Sequence, residues 1–138
     1  MSHIHVRRLV AVGEDFLAVR QAVDQSLSDP SLPNHARLTR AARGLEATYL
    51  ARLFSEFEGT LRAYLTANDP QGRPPPKSAY GLINRTAALL RLPNDIRDGV
   101  QQAREYRNAV VHPDGPAYAA LPFSEARSLL SKFLARLP

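Results

Sequence analysis

The chain has no cysteine among its 138 residues. That absence excludes a disulfide framework, a thiolate nucleophile and a cysteine-ligated zinc site. Long apolar runs are missing too: stretches such as LVAV at 9–12 fall far short of the roughly 18 apolar residues that cross a bilayer. The opening MSHIHVRR lacks the apolar segment that follows the charges of a secretory signal. The expectation is a cytoplasmic protein with no membrane association. Lysine is scarce, since all but Lys77 and Lys132 of the 18 basic residues are arginine. Arginine suits bidentate phosphate contacts, although a genome rich in G and C produces the same bias. Also absent are the G-x-x-x-x-G-K phosphate loop, the dinucleotide-binding fingerprint and the zincin motif.

What is present is a chain 44% hydrophobic, enough for one core and too short for two comfortable domains. Residues 1–138 are therefore expected to form a single domain. The 18 basic residues face 13 acidic ones, a formal +5, which favours polyanionic partners without requiring one.

Three clusters punctuate the chain: Ser28 to Asn34 around Pro30 and Pro33, NDPQGRPPPK at 68–77, and PDGP at 113–116. Between them the hydrophobic spacing is helical. Leu38, Ala42, Leu45, Tyr49, Leu53, Phe57, Leu61 and Tyr64 recur every three or four residues, predicting one long helix. Ala79, Leu82, Ile83, Thr86 and Leu90 define a shorter helix with Ser78 as N-cap. Ile96, Val100, Ala103 and Val110 define the next, opened by Pro93 and Asn94, with Asp95 near the positive end of its dipole. Phe123, Ala126, Leu130, Phe133, Leu134 and Leu137 give the last. In the first 28 residues, Phe16, Leu17, Arg20, Val23 and Leu27 suggest a helix, while Ile4, Val6, Val10 and Val12 alternate as a strand would. A lone strand would have no partner, so helix is favoured. The expected fold is all-α, an antiparallel four- to five-helix bundle.

One helix carries an anomaly. With residues about 100° apart on the wheel, Ile96, Val100, Ala103, Val110 and Val111 cluster on one side, and Arg107 falls near the centre of that cluster. An unpaired buried guanidinium costs several kcal/mol. Arg107 is therefore expected to pair with a carboxylate on another helix, to snorkel at the helix end, or to face a cleft or second subunit. His112 lies five residues on, and Pro113 disfavours helical geometry there. The helix should end at His112, whose imidazolium the helix C-terminus would favour.

R-N-A-V-V-H, Arg107 to His112, resembles the R-x4-6-H motif of the HEPN superfamily, including the polar residue after the arginine, here Asn108. The motif's late position in a small helical chain is similar, and YLARLFSEFEGTLRAYL at 49–65 resembles the long second helix of several HEPN families, where an acidic residue follows an aromatic, here Phe57-Glu58. The resemblance covers roughly residues 14–137. It implies a metal-independent endoribonuclease without cofactor, acting as a homodimer on RNA, with two motifs meeting in a cleft between subunits. His112 would move protons, Arg107 would hold the phosphate and stabilise charge on its oxygens, and Asn108 would orient the histidine or bind the phosphate. The ribose 2′-OH would attack the phosphorus, leaving a 2′,3′-cyclic phosphate and a 5′-OH. A toxin or antiphage effector, controlled by an antitoxin or a larger complex, would suit such an activity. The other possibility is a non-catalytic HEPN-like dimerisation or scaffold domain. Asp114 stands where some HEPN toxins carry the tyrosine of an H-x-Y element, so control by nucleotidyl modification is not supported.

Two glutamates are candidates for an acidic role. Glu58 takes the place that the resemblance favours, as an auxiliary site residue, while Glu46, inside the apolar stripe of the long helix, is expected to be a structural salt-bridge partner for a buried cation. Weaker constellations include His3 and His5 as an H-x-H chelate near a frayed terminus, Arg37, Arg40 and Arg43 as a solvated basic surface, and RPPPK at 73–77 as a stiff loop.

Overall fold

The computed structural model describes the backbone at 2–111 and 121–138 and the side chains at 5–42, 44–110 and 121–138. Five helices follow in order: α1 (Ser2–Leu27), α2 (His35–Asn68), α3 (Ala79–Leu90), α4 (Asn94–Val111) and α5 (Phe123–Leu134). The described residues contain no strand. Helix α2 is the axle, because it packs against each of the other four. α1 also packs on α5, and α4 on both α3 and α5.

The N-terminal alternation of Ile4 to Val12 lies within α1 rather than in a strand. Leu9, Val12, Gly13 and Phe16 are buried at helical spacing, whereas Val10 is exposed and Leu17 is 60% exposed. Leu17 therefore lies off the packed face on which its spacing had placed it. The core runs along α2 through Leu50, Leu53, Phe54, Phe57, Leu61 and Leu65. Phe133 of α5 meets Phe57 edge-on with ring centroids 5.6 Å apart, and Phe16 meets Phe123 at 4.3 Å, arrangements that suit the aromatic quadrupole. On α2, Leu38 and Leu45 are only half-buried. Among the described side chains from 17 to 49 none is fully buried, so α1 and α2 continue as a hairpin beyond the main core.

Side chains tie the connections from α1 to α2 and from α2 to α3. Asp29 accepts from the backbone N–H of Ser31 at 3.0 Å and from its hydroxyl, closing the turn between α1 and α2. Beyond α2, the Asp69 carboxylate is 2% exposed and accepts from the backbone N–H of Gln71 at 2.8 Å, with Arg73 Nε at 3.1 Å and Arg85 Nη1 at 3.8 Å. Arg85 also donates to the carbonyl of Pro74 at 2.6 Å, which ties RPPPK to α3. Ser78 Oγ accepts from the backbone N–H of Gly81 at 3.1 Å, as its N-cap position predicts. Three residues join α3 to α4, and Arg91 takes a left-handed φ of 52° where α3 stops.

Candidate functional site

Arg107 lies in the fourth turn of α4, past Val100 and Ala103, both fully buried. Its guanidinium reaches α2. Nη2 donates to Oε1 of Glu58 at 3.3 Å, and the group lies 5.0 Å from the centroid of the Phe54 ring. Phe54 and Glu58 are four residues apart and so share one face of α2. One presents a π face and the other a carboxylate to the same cation. Both charged side chains are 22% exposed, and the Nε of Arg107 is buried with no partner among the described residues.

Of the three placements open to Arg107, the structure takes the first, a carboxylate on another helix of the same protomer. The carboxylate is Glu58. Glu46 pairs with no cation among the described side chains, although its place in the stripe suggested a salt bridge: its Oε1 accepts the backbone N–H of Phe123 at 3.1 Å. It caps α5, whose own N-cap residue is Pro122 with no side-chain acceptor. That cap satisfies one of the orphan donors of the helix start and meets the positive end of its dipole.

Asn108, the next residue of α4, is half-buried and makes no side-chain hydrogen bond with a described residue. His112 and the PDGP segment lie outside the described residues. The structure thus brings Arg107 and Glu58 together and sends Glu46 elsewhere. Phe54 is the contact that sequence reasoning missed; its i,i+4 relation to Glu58 was the available signal.

Arg104, one turn before Arg107, is part of a second cluster. Its Nε donates to Gln101 Oε1 at 2.7 Å, and its guanidinium lies 5.4 Å from the ring centroid of Tyr80 at the start of α3. Gln101 Nε2 in turn donates to Asn84 Oδ1 at 3.0 Å and to the Tyr80 carbonyl at 3.3 Å.

Elsewhere, a cleft of about 490 Å³ lies between His5 and Arg8 of α1 and Gly59, Tyr64 and Asn68 of α2. Neither Arg107 nor Glu58 lines it, so the chemistry of side chains and not the depth of a concavity marks the candidate site. Among the described residues no three His, Cys, Asp or Glu side chains gather in a way that could hold a metal ion. His5 is described but the side chain of His3 is not, and Arg37 and Arg40 are exposed. No described helix is long and apolar enough to cross a membrane. No family model, no curated protein and no solved structure matches the chain.

Proposed function

We propose that this chain is a metal-independent endoribonuclease of the HEPN type that works as a homodimer, with Arg107 and His112 as its reacting pair and Asn108 and Glu58 in support. One observation carries the reading: a guanidinium held in direction by Glu58 and Phe54, yet 22% exposed, stands five residues before His112 in the sequence. A preorganised donor of this kind stabilises charge developing on phosphate oxygens without having to reorganise during reaction. In the step envisaged, the 2′-oxygen bonds to phosphorus as its proton passes to an imidazole. The bond from phosphorus to the 5′-oxygen breaks, and that oxygen takes up a proton to leave as a 5′-OH. The products are a 2′,3′-cyclic phosphate and a 5′-OH end. A toxin or antiphage effector restrained by a partner protein is the role that fits.

A second reading has its own observation. Glu58 neutralises Arg107 inside one protomer, which is what a non-catalytic scaffold with a structural ion pair would do. Incubation of the purified protein with total RNA and tRNA in EDTA, followed by end-group analysis, separates the two. The nuclease reading expects cyclic-phosphate ends with wild type and a loss of about 100-fold or more with His112→Ala. Cleavage that survives both His112→Ala and Arg107→Ala refutes it. Growth arrest on expression that persists unchanged in His112→Ala would favour the scaffold.

A further inference from the structure

We infer that Tyr80 is a stacking platform for an unpaired nucleobase on the strand bound at Arg107, an inference that rests on the RNA-directed reading above. Tyr80 is 56% exposed and is the one exposed aromatic residue among those described. Its ring is backed by the Arg104 guanidinium at 5.4 Å, and Arg104 is itself 18% exposed. The support is rigid on three counts. Gln101 holds Arg104 at 2.7 Å, and it also holds the Tyr80 carbonyl and Asn84 of α3. The ring therefore needs little ordering on binding, and such preorganisation favours affinity.

Position gives the platform its ligand. Arg104 and Arg107 are three residues apart on α4, which makes them surface neighbours about 5–6 Å apart at Cβ. From there Arg104 reaches Tyr80 on α3 while Arg107 reaches Glu58 and Phe54 on α2, so a strand lying across α4 would meet both side chains. Base on aromatic, phosphate on arginine is the division of contacts by which single strands are bound without sequence readout. A base in a duplex is already stacked on both faces and cannot use the ring. The ligand is accordingly single-stranded RNA, with little preference among bases.

The test measures binding in the His112→Ala background by fluorescence anisotropy, using a labelled single-stranded RNA of about ten nucleotides and the same RNA annealed to its complement. Tyr80→Ala should raise the Kd for the single strand about tenfold, Tyr80→Phe should stay within about twofold, and the duplex Kd should not respond to either. The slope of log Kd on log salt should be unchanged, because no phosphate contact is removed. Thermal melts followed by circular dichroism should show both variants folded, as expected for an exposed side chain. An unchanged Kd in Tyr80→Ala, a Tyr80→Phe as weak as Tyr80→Ala, an equal loss on the duplex, or no RNA binding at all would each overturn the inference. The nuclease reading is judged separately by cleavage. A Tyr80 effect on binding by a protein that cuts nothing keeps the platform and removes the nuclease, whereas cleavage lost in His112→Ala with no Tyr80 effect does the reverse.

Discussion

Breaking the pair between Arg107 and Glu58 should destabilise the protein more than replacing it. Two unit charges about 4 Å apart attract by about 1 kcal/mol in water and by about 4 kcal/mol at an effective dielectric near 20. With both side chains 22% exposed and the closest atoms at 3.3 Å, the attraction falls between these limits. Phe54 beneath the guanidinium adds about 0.5–1 kcal/mol. Against this stands the buried Nε of Arg107, which has no partner among the described residues, a desolvation cost of about 1–3 kcal/mol. The net contribution of the pair relative to apolar side chains is therefore small. Each half alone is worse than the pair, since it leaves a partly buried charge uncompensated. Urea denaturation should give losses of about 2 kcal/mol for Glu58→Leu and about 2 kcal/mol for Arg107→Met, whereas the double variant should lose only about 1–2 kcal/mol. The coupling so measured is about 2–3 kcal/mol in favour of the pair. Single losses below about 0.5 kcal/mol with a coupling near zero would refute the argument, and the contact would rank with solvated surface pairs.

Other consequences concern the frame. Gly59 is exposed within α2, and a Cβ there would meet nothing within 4 Å. Gly59→Ala should stabilise by about 1 kcal/mol, with Tm up by about 3–5 °C in a thermal melt, and a fall in Tm would contradict the open space. The backbone N–H of Gln71 is the main cause that holds the Asp69 carboxyl below its usual 3.8; burial opposes it, and the Arg73 and Arg85 guanidinium groups add to the lowering. A depressed carboxyl contributes stability that is complete above the unfolded value and is lost as pH falls through the folded one. The acid limb of stability below pH 3.8 should accordingly be shallower in Asp69→Asn than in wild type, and identical slopes would remove Asp69 from the account. Glu46→Ala strips the cap from α5 and should cost about 1 kcal/mol in denaturant, with Glu46→Gln losing less because its amide oxygen still accepts.

The helices were legible because two signals agreed, apolar spacing near 3.6 and breaks rich in proline, glycine and small polar residues. Ser78 could be read as a cap from its place alone, and Gly81 N–H is where it acts. Residues 1–28 were harder. Ile4, Val6, Val10 and Val12 satisfy a period of two, and Leu9, Val12 and Phe16 satisfy a helical one. A long neighbouring helix decides between them, since α1 packs on α2 and no described residue offers a strand to the first set. Leu38, Ala42 and Leu45 share the stripe of α2 yet are only half-buried, for a different reason. A stripe says which way a side chain points, and only the arrangement of the other helices says how many neighbours it will find there.

The same distinction explains why the stripe of α2 points to Glu46 as the partner of a buried cation while the structure pairs Arg107 with Glu58. Glu46 and Glu58 are twelve residues apart on α2, about 18 Å along the axis at 1.5 Å per residue. Only one of them can meet a given point on α4, and the choice depends on how far α2 slides along its neighbours. Packing sets that slide, through Leu53, Phe57 and Leu61 on α2 against Val100 and Ala103 of α4 and Phe133 of α5 within one core. At that register each acid finds a positive group, Glu58 the Arg107 guanidinium and Glu46 the first N–H of α5. Sliding α2 by a turn, about 5.4 Å, would leave both carboxylates half-buried without a donor and α5 without its cap. The two acids therefore penalise wrong registers that apolar side chains alone would tolerate, and the same constraint that orients Arg107 helps to align the bundle.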